Sequence, residues 1–406
     1  MTETSKQIEG KIIAQVEKNR DEIIAFIQSA VRQPSVTGNE EGIAKVIYNK
    51  MLECGIDAEY LEAAPHRPNV VGHYRGEKPG KTLVFNGHMD ICPPGPAEEW
   101  DFDPYSGEIK DGQLWGRGTV DMKSGTCGGT MAVKALRDAG VPIKGEVLLT
   151  CVCDEEIGSV LGTQWLINNG HLKGDFAINC EATDLKTVDV IHKGILRVDI
   201  TVFGKSIHGS RPWLGINAID KAMALLARLN KYGEEIYATR TNPHVHPATL
   251  NVGTIEGGTV PNMIPGKCVL KMNRRLVPGE TKEQAIEEMR AICEQMAKDD
   301  PEFKYDLTVD SFEMPIMYTA DDAPPVLAIQ RAHKLVHGED LPLGGKDAGT
   351  DASWITYSAG IPCPVYGPGD YIRYSLGPNE HIPLDDIVDA VKVYALAIYY
   401  LLGEDA

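Results

Sequence analysis

The sequence is short of positive charge. Its 406 residues include 40 Lys and Arg against 58 Asp and Glu, which gives a formal net charge of −18 with histidine neutral. A chain this acidic repels the phosphates of nucleic acids and the headgroups of anionic membranes. We therefore expect neither nucleic acid nor a membrane surface among its main partners.

Long apolar runs and paired cysteines are also missing. The longest apolar run, 393–402, has about half of the roughly 20 residues that a bilayer requires, and the polar N-terminus lacks the apolar core of a signal peptide. The nine cysteines include no C-x-x-C pair, and their odd number fits poorly with a disulfide framework. These absences predict a cytoplasmic protein with reduced, buried thiols.

What the sequence does contain is a series of short β-branched runs between helical segments. Apolar residues recur at helical spacing over 7–31, 39–54 and about 128–139, and an amphipathic helix follows Pro383. The predicted strands are 69–74, 82–86, 146–153 and 176–179. Strands that alternate with helices in this way predict an α/β domain around a largely buried sheet.

The pattern changes over 194–313. This stretch begins with a strand in which apolar and polar residues alternate, and its predicted order is β-α-β-β-α-β, a self-contained α+β unit. Beyond 314 the alternation of strands and helices returns. We therefore predict the first part of the α/β domain at 1–193, an inserted domain at 194–313 and the second part of the α/β domain at 314–406.

Five segments place ionisable side chains next to strands or loops. They are 86–90, 116–125, 154–156, 180–183 and 377–385. Four of the five follow predicted strands, and open α/β sheets bind ligands at the carboxyl ends of their strands. Imidazole and carboxylate donors of this kind suit zinc, with cobalt or manganese as alternatives.

The glycine-rich segment 116–125 does not fit a nucleotide site. Asp121 stands where a dinucleotide fingerprint needs glycine, and a phosphate loop needs a longer spacing before its Gly-Lys-Ser/Thr. A carboxylate at the centre of such a loop instead suits a metal site. Taken alone, Asp154-Glu155-Glu156 fits a solvated turn better than it fits a metal ligand with a general base beside it.

Together these segments resemble the M20 metallopeptidases and aminoacylases, and the branch of acetylornithine deacetylase and succinyl-diaminopimelate desuccinylase most of all. The motifs that carry the resemblance are G-H-M-D, G-R-G-x-x-D-M-K-x-G, D-E-E, E-x-T, H-G-S-x-P-x-x-G-x-N-A, R-x-x-P-G-E and G-T-D before a late G-P-G. Ala182 stands where many members have proline, and Asn273 where relatives often have aspartate. The resemblance implies a zinc-peptidase-like catalytic domain with a mostly parallel sheet and an inserted dimerisation domain.

The resemblance also implies two divalent metal ions, with zinc preferred and cobalt or manganese as substitutes. The implied ligands are His88 and Glu181 on one ion, Glu156 and His381 on the other, and Asp121 bridging both. Asp90 would orient His88, and Glu155 would be the catalytic base. His208 would stabilise the oxyanion in the partner subunit's active site. The implied substrate-binding residues are Arg275, Asn262, Gly349, Thr350 and Asp351, although a plain turn is an equally good interpretation of Thr350 and Asp351.

The function that follows from the resemblance is hydrolysis of the amide bond of an N-acyl amino acid by a metal-activated water. The expected partners are a small N-acylated amino acid or dipeptide with a free carboxylate, and a second copy of the chain. A dipeptidase or carboxypeptidase of the same family remains an alternative. A non-catalytic metal- or amino-acid-binding protein is a remote one, because a binding protein has no need of a base beside a ligand.

Overall fold

The computed structural model of the protein describes residues 3–403, which form two compact units. The first unit comprises the residues up to 191, together with 317–345 and those from 350 onward. The second unit comprises 192–316 and the short segment 346–349.

The helices and strands are numbered in chain order. The helices are α1 (Glu3–Lys18), α2 (Arg20–Val31), α3 (Glu41–Glu53), α4 (Lys123–Asp138), α5 (Thr163–Asn168), α6 (Ala218–Glu235), α7 (Lys282–Asp299), α8 (Pro324–His337), α9 (Ala352–Ser358), α10 (Tyr371–Tyr374) and α11 (Leu384–Leu402). The strands are β1 (Asp57–Ala64), β2 (Arg67–Arg75), β3 (Lys78–His88), β4 (Glu108–Lys110), β5 (Gln113–Trp115), β6 (Lys144–Val152), β7 (Phe176–Asn179), β8 (Val188–His192), β9 (Gly194–Phe203), β10 (Thr249–Gly257), β11 (Lys267–Leu276), β12 (Lys304–Met314), β13 (Met317–Tyr318), β14 (Leu343–Lys346) and β15 (His381–Pro383).

The first unit is built on a five-stranded sheet in the order β1-β2-β6-β3-β7. β2 pairs antiparallel with β1 and β6, whereas β6, β3 and β7 pair in parallel, so only β2 runs against the others. Leu83 and Phe85 of β3 belong to the core cluster that includes residues of α4 and α11, whereas Val84 belongs to the cluster on the opposite face. The predicted α/β fold with a mostly parallel, buried sheet is confirmed.

Two elements of this unit differ from the predicted ones. The helix predicted over 7–31 is interrupted at Asn19, whose side chain accepts a hydrogen bond from Gln15 Nε2 at 3.0 Å, and it forms α1 and α2 instead. Strand β1 was not predicted, because its acidic and alanine residues have weak β propensity. As an edge strand that pairs with β2 alone, β1 can expose much of its surface.

The second unit is an antiparallel four-stranded sheet in the order β10-β11-β9-β12, with α6 and α7 in its core. The chain order β9-α6-β10-β11-α7-β12 is the predicted one. In β9 the side chains of Leu196, Val198, Ile200 and Val202 are buried, and the intervening residues are more exposed. This period of two is the pattern of a sheet covered by helices on one face.

The segment 346–349 packs with the second unit, although the sequence assigned it to the α/β domain. Asp347 pairs with Lys193 Nζ at 2.8 Å and with His246 Nδ1 at 2.6 Å. A Cβ on Gly349 would approach the sulfur of Met314 to 2.0 Å, so a larger residue here would require the Met314 side chain to move. These contacts join residues far apart in the sequence, which is why local patterns do not predict them.

No helix within residues 3–403 is both long and apolar enough to cross a bilayer. All nine cysteines lie in this part of the chain as free thiols, and Cys92 alone among them is not buried.

Candidate metal centre and active site

The carboxyl ends of the parallel strands bring three predicted ligands together. His88 is the last residue of β3, Glu181 lies two residues beyond β7, and Asp121 lies two residues before α4. Nε2 of His88 is 3.1 Å from Asp121 Oδ1 and 3.1 Å from Glu181 Oε1. All three residues are buried. Their donor atoms lie within 4.8 Å of one another, the spacing of ligands around one ion.

The hydrogen bond made by Nδ1 of His88 shows why this arrangement suits a cation. His88 Nδ1 donates to the backbone carbonyl of Asp90 at 2.8 Å, so the neutral ring carries no hydrogen on Nε2. Nε2 and the two carboxylate oxygens are then three acceptors that face one another. Such a group is stable only around a shared proton or a metal ion, and histidine ligands typically donate their second N–H to a carbonyl in this way.

A close backbone approach places α4 against the end of β7. A Cβ on Gly125 would lie 2.0 Å from the carbonyl oxygen of Cys180, so only glycine permits this contact. Beyond Cys180, the Ala182 N–H donates to Glu181 Oε2 at 3.2 Å. Proline at this position, which the family resemblance led one to expect, could not donate that hydrogen bond.

Glu380 holds the loop that carries Asp121. Its Oε1 accepts hydrogen bonds from the backbone N–H groups of Gly118, Val120 and Asp121 at 3.1, 2.8 and 3.1 Å. Its Oε2 accepts one from Arg117 Nη1 at 2.6 Å. Burial raises the pKa of Glu380 to about 7, although Arg117 opposes this shift. The buried pair therefore fixes the position of Asp121.

Asp90 positions a tight turn that carries two of the predicted residues. Its carboxylate accepts the N–H of Glu155 at 3.1 Å and that of Glu156 at 3.2 Å, and it also accepts the hydroxyl of Thr37 at 2.9 Å. The sequence resemblance assigned the Asp90 side chain to His88, but that carboxylate lies 3.5 Å from Nδ1, farther than the Asp90 carbonyl. The Asp90 carbonyl is thus the nearer partner of His88 Nδ1, and the Asp90 carboxylate also anchors the turn.

The first acid of the D-E-E run has a structural role. Asp154 adopts a left-handed conformation with φ of 74°, and its carboxylate pairs with Arg67 Nη2 at 2.5 Å and accepts the Leu161 N–H at 3.0 Å. A non-glycine residue in this region is strained and needs such support. The run is therefore a turn anchored by its buried first acid, with Glu155 and Glu156 partly buried.

Glu155 and Glu156 point to different neighbours. Glu155 Oε2 is 3.9 Å from His88 Nε2, beside the three-residue group. Glu156 Oε1 accepts the Cys92 N–H at 2.9 Å, and its Oε2 accepts the Cys92 thiol at 3.1 Å. Glu155 therefore lies beside the three-residue group, and Glu156 is bound to the segment that follows His88.

Burial and the crowding of acids shift the ionisation of this site. Burial raises the pKa of Glu155 well above its usual value, with Asp351 and Glu181 adding to the shift and His88 opposing it. Burial and then Asp121 raise the pKa of Glu156 to about 7. Burial disfavours protonation of His88, but hydrogen bonds to Asp121, Asp90 and Glu181 outweigh it and raise its pKa. In this site burial therefore favours the protonated form of both glutamates.

His381 is placed apart from the three-residue group. As part of β15 it pairs with Trp115 of β5, and its ring stacks on Trp115 with centroids 4.1 Å apart. The centroid of the Tyr374 ring lies 4.2 Å from that of His381. His381 Nδ1 donates to the Asn379 carbonyl at 2.7 Å. Among residues 3–403, no group of three donors within 4.8 Å includes His381 or Glu156.

Thr350 and Asp351 are buried at the start of α9. The Thr350 hydroxyl accepts the Ala352 N–H at 3.2 Å, and Asp351 Oδ2 accepts the Thr163 hydroxyl at 2.8 Å. Thr163 in turn accepts from Asn86 Nδ2 at 3.0 Å, which links Asp351 to the sheet. Burial raises the pKa of Asp351 to about 6. The contacts of this pair are those of a helix start and an internal hydrogen-bond network.

In the second unit the structure brings His208 and Asn262 together. His208 forms a bridge with Met263, and the Gly209 N–H donates to the Asn262 carbonyl at 2.7 Å. The Ser210 N–H donates to His208 Nδ1 at 3.1 Å, so the neutral ring carries its hydrogen on Nε2. His208 is exposed and therefore presents an N–H donor to the solvent.

Arg275 and its neighbour Arg274 face opposite sides of β11. Arg274 is fully buried, pairs with Glu280 and lies 3.8 Å from the Tyr237 ring centroid. Arg275 is only half-buried, and its Nη1 donates to the Asp347 carbonyl at 3.3 Å. The alternation of side chains along a strand thus gives the structural role to Arg274 and keeps Arg275 accessible.

Several residues around the centre were not predicted. Arg117 and Glu380 lie inside the segments 116–125 and 377–385, so their position in these motifs could have identified them as residues of the site. The Ser375 hydroxyl donates to Asp121 Oδ2 at 2.9 Å, and no pattern in the sequence indicated this contact. Burial and then the carboxylate of Asp121 raise the pKa of Tyr371.

Comparisons with known proteins agree with this arrangement. The N-formyl-4-amino-5-aminomethyl-2-methylpyrimidine deformylase of Bacillus subtilis (strain 168) is 29% identical, over 93% of this chain and 94% of its own length. The succinyl-diaminopimelate desuccinylase of Ehrlichia canis (strain Jake) is 28% identical, over 91% of this chain and 96% of its own. The crystal structure of aminopeptidase PepT from Bacillus cereus ATCC 10987 matches with a TM-score of 0.80 and 23% identity, over 94% of this chain and 99% of that one.

The profile described as Peptidase family M20/M25/M40 matches residues 84–400. This range includes His88, Asp121, Glu155 and Glu181, the residues that the structure gathers at the ends of the parallel strands. The protein is therefore a member of peptidase family M20/M25/M40, a metal-dependent hydrolase of amide bonds.

Proposed function

We propose that the protein removes the acyl group from a small N-acyl amino acid, as a deacetylase or desuccinylase does. The observation that carries the proposal is the buried group of His88, Asp121 and Glu181 with Glu155 beside it. The names of both sequence relatives, a deformylase and a desuccinylase, describe removal of an acyl group. A dipeptidase or carboxypeptidase is the second candidate, because the structural neighbours include peptidases, among them an M20 family metallo-carboxypeptidase.

The donor set fits a divalent ion. One imidazole nitrogen and two carboxylate oxygens would hold it, with zinc as the preferred ion and cobalt or manganese as substitutes. When bound, such an ion polarises a carbonyl and lowers the pKa of a water molecule.

The residues around the ion position supply the proton transfers. Glu155 would take the proton from the attacking water and then deliver it to the leaving amine. The two hydrogen bonds from the backbone of Glu155 and Glu156 to Asp90 hold Glu155 in place for both transfers. Burial raises the pKa of Glu155 above its usual value, which favours proton uptake by this carboxylate.

The proposed oxyanion donor is His208, acting across a homodimer. Its Nε2–H is available because Nδ1 accepts the Ser210 N–H, and a donor of this kind stabilises the negative oxygen of a tetrahedral intermediate. Apolar side chains are exposed in the two loops that flank it: Trp213 at 76%, Leu214 at 48% and Met263 at 41%. Exposed apolar groups of this kind favour burial against a second copy of the chain.

Mixing two inactive variants tests the action of His208 across the dimer. His208→Ala and Glu155→Gln proteins should together recover about one quarter of wild-type activity, because half of the randomly mixed dimers carry one complete site out of two. Activity is measured after subunit exchange has been verified with a labelled chain. Glu155→Gln mixed with His88→Asn is the control and should recover nothing. If the mixture of His208→Ala and Glu155→Gln is as inactive as the control mixture, His208 does not act in trans.

Arg275 is the proposed partner of the substrate carboxylate. A guanidinium can hold a carboxylate through two parallel hydrogen bonds, which would position the scissile amide. Asn262 and the Gly349–Asp351 loop are proposed to hold other substrate oxygens, although burial leaves little of Thr350 and Asp351 accessible. The overall charge of −18 makes such a local cation important for an anionic substrate.

A panel of N-acetyl amino acids, N-succinyl amino acids and dipeptides, each as free acid and carboxamide, tests this proposal. Wild type should prefer the free acid of an acylated amino acid, measured as amine released with cobalt present. Arg275→Ala should reduce that preference in kcat/KM by roughly 10- to 100-fold, the value of a charge-assisted hydrogen bond. Lys271→Ala, exposed on the same strand, is the matched control. A mutant that discriminates like wild type would show that the carboxylate is recognised elsewhere, and faster turnover of dipeptides would favour the peptidase alternative.

A further inference from the structure

We propose that Arg67 is a positioning residue of this enzyme, which holds the Glu155 carboxylate in place through the neighbouring residue Asp154. The inference rests on the proposed function in taking Glu155 as the general base. It gives a role to a charged side chain that lies outside every motif of the sequence.

The guanidinium of Arg67 binds two carboxylates at once. Its Nη2 donates to Asp154 Oδ1 at 2.5 Å and to Glu40 Oε1 at 3.1 Å, and its Nε donates to Glu40 Oε2 at 3.1 Å. The side chain of Arg67 is 16% exposed, and those of Glu40 and Asp154 are 0% and 4% exposed. The planar fork of a guanidinium suits this double contact, whereas the single ammonium of lysine offers no such fork.

The pairing of two strands brings Arg67 to Asp154. β2 runs antiparallel to β6, and Val70 lies opposite Cys151 in their register. Extending this register by three residues places Arg67, the first residue of β2, opposite Asp154, which lies just beyond the end of β6. Side chains at opposite positions of an antiparallel pair lie close enough to interact, so the sheet itself favours this contact.

Asn69 ties the same segment to β2. Its Oδ1 accepts the Cys153 N–H at 3.1 Å, and its Nδ2 donates to the Leu161 carbonyl at 2.9 Å. Asp154 Oδ2 also accepts the Leu161 N–H at 3.0 Å. The start of β2 therefore holds both ends of the segment 153–161, which carries Glu155.

Asp154 sets the direction in which the chain leaves β6. Its left-handed φ of 74° leads the backbone into the short turn Glu155–Ile157, and its carbonyl accepts the Ser159 N–H at 2.7 Å. A non-glycine residue keeps such a conformation only where its surroundings fix it. The Asp90 carboxylate holds the turn by accepting the Glu155 N–H at 3.1 Å, and the pair of Asp154 with Arg67 is a further anchor on the adjacent residue.

Loss of Arg67 would release this anchor next to the proposed base. Glu40 and Asp154, both buried, would lose the cation that they share, and a buried carboxylate without its partner is strongly unfavourable. Asp154 would then shift toward water, and Glu155 would move with it. A displacement of about 1 Å in a catalytic group can cost about 100-fold in rate, so turnover should fall more than substrate affinity.

Hydrogen exchange of the metal-loaded full-length protein measures the anchor without any substrate. Arg67→Met should make the amides of the segment 154–161 exchange roughly tenfold faster, because its backbone hydrogen bonds would open more often. Arg75→Met is the matched control, since Arg75 ends the same strand and pairs with the exposed Asp57. It should leave exchange in that segment unchanged. Equal exchange in Arg67→Met and wild type would show that Arg67 does not anchor the turn.

Steady-state kinetics test whether the anchor serves catalysis. Arg67→Met should lower kcat by roughly 10- to 100-fold, with KM within about threefold of wild type and metal content unchanged. Arg67→Lys keeps the charge without the fork and should recover part of this loss. Arg75→Met should behave as wild type. An unchanged kcat in Arg67→Met, or a loss of metal in proportion to activity, would contradict a positioning role.

A double variant separates positioning from a purely structural role. Glu155→Gln already lacks the base, so adding Arg67→Met to it should lower kcat by less than about twofold further. A general loss of structure would instead lower kcat by the same factor in both backgrounds, and that result would overturn this inference alone. Full turnover by Glu155→Gln would overturn the proposed role of Glu155, while the exchange measurement would still report whether Arg67 anchors the turn.

A second variant covers the case in which Arg67→Met does not fold, as judged by thermal unfolding. Asp154→Asn removes the charge that Arg67 binds, but asparagine tolerates the left-handed conformation and can still accept the Leu161 N–H. It should show the same fall in kcat and the same faster exchange over 154–161. Wild-type kinetics and exchange in Asp154→Asn would refute the inference.

Discussion

Replacing Glu155 with glutamine should lower kcat by about 10²- to 10⁴-fold, the loss expected for a missing general base. The amide has nearly the same shape as the carboxylate but cannot accept the proton of the attacking water. The bound metal should remain, because Glu155 lies outside the group of three ligands and 3.9 Å from His88 Nε2. The substrate KM should change little, since the variant removes a step of the chemistry and no binding contact.

Steady-state kinetics and elemental analysis of the same preparation measure both quantities. Glu339→Gln makes the same change at an exposed position and should behave as wild type. If Glu155→Gln loses metal in proportion to activity, Glu155 is a ligand and the base must be sought elsewhere. Full turnover by the variant would exclude Glu155 from proton transfer.

Removing the metal should abolish turnover and lower the melting temperature. Without an ion, the ligand atoms of His88, Asp121 and Glu181 lie crowded together in a buried site, where two neighbouring carboxylates repel each other. An ion that binds only the folded chain stabilises it by about 4 kcal/mol at a thousandfold excess over its Kd. Activity and melting temperature should therefore both rise as zinc or cobalt is returned to the chelated protein.

Activity assays and thermal melts across a metal titration provide the measurement. In His88→Asn the melting temperature should no longer respond to added metal, which separates binding at this site from binding elsewhere. Turnover at the wild-type rate by protein shown to be metal-free would contradict a metal-dependent mechanism. A melting temperature independent of metal would show that the site contributes nothing to folding.

Much of the fold follows from local patterns. The continuous apolar runs of β3 and β6 indicated a sheet buried on both faces, and the alternation in β9 indicated a sheet covered on one face. Both interpretations are confirmed, because the period of side-chain burial is a local property of the backbone. Strand β1 was not predicted, because its own sequence has weak β propensity. Its pairing with β2, a contact that local patterns do not show, stabilises it.

The three residues of the candidate metal centre could also be predicted from motifs in the sequence. His88, Asp121 and Glu181 each follow or precede an element that the pattern predicted, and the carboxyl ends of parallel strands meet at one edge. Their convergence on one point additionally needs the contact between Gly125 and Cys180, which joins α4 to the end of β7. The sequence alone shows the glycine but not what lies against it.

The tertiary structure decided which side chains of the motifs reach the centre. Glu380 and His381 are adjacent in the sequence, yet Glu380 is buried against Arg117 and the Asp121 loop, while the His381 ring stacks on Trp115. Neighbouring residues in an extended chain point to opposite sides, so a motif marks a segment without specifying which residue faces the site. Glu156 and Cys92 are likewise joined across 64 positions of the chain. Sequence determined the chemical groups that the protein could use, and long-range packing selected among them because hydrogen-bond partners are set by distance in space.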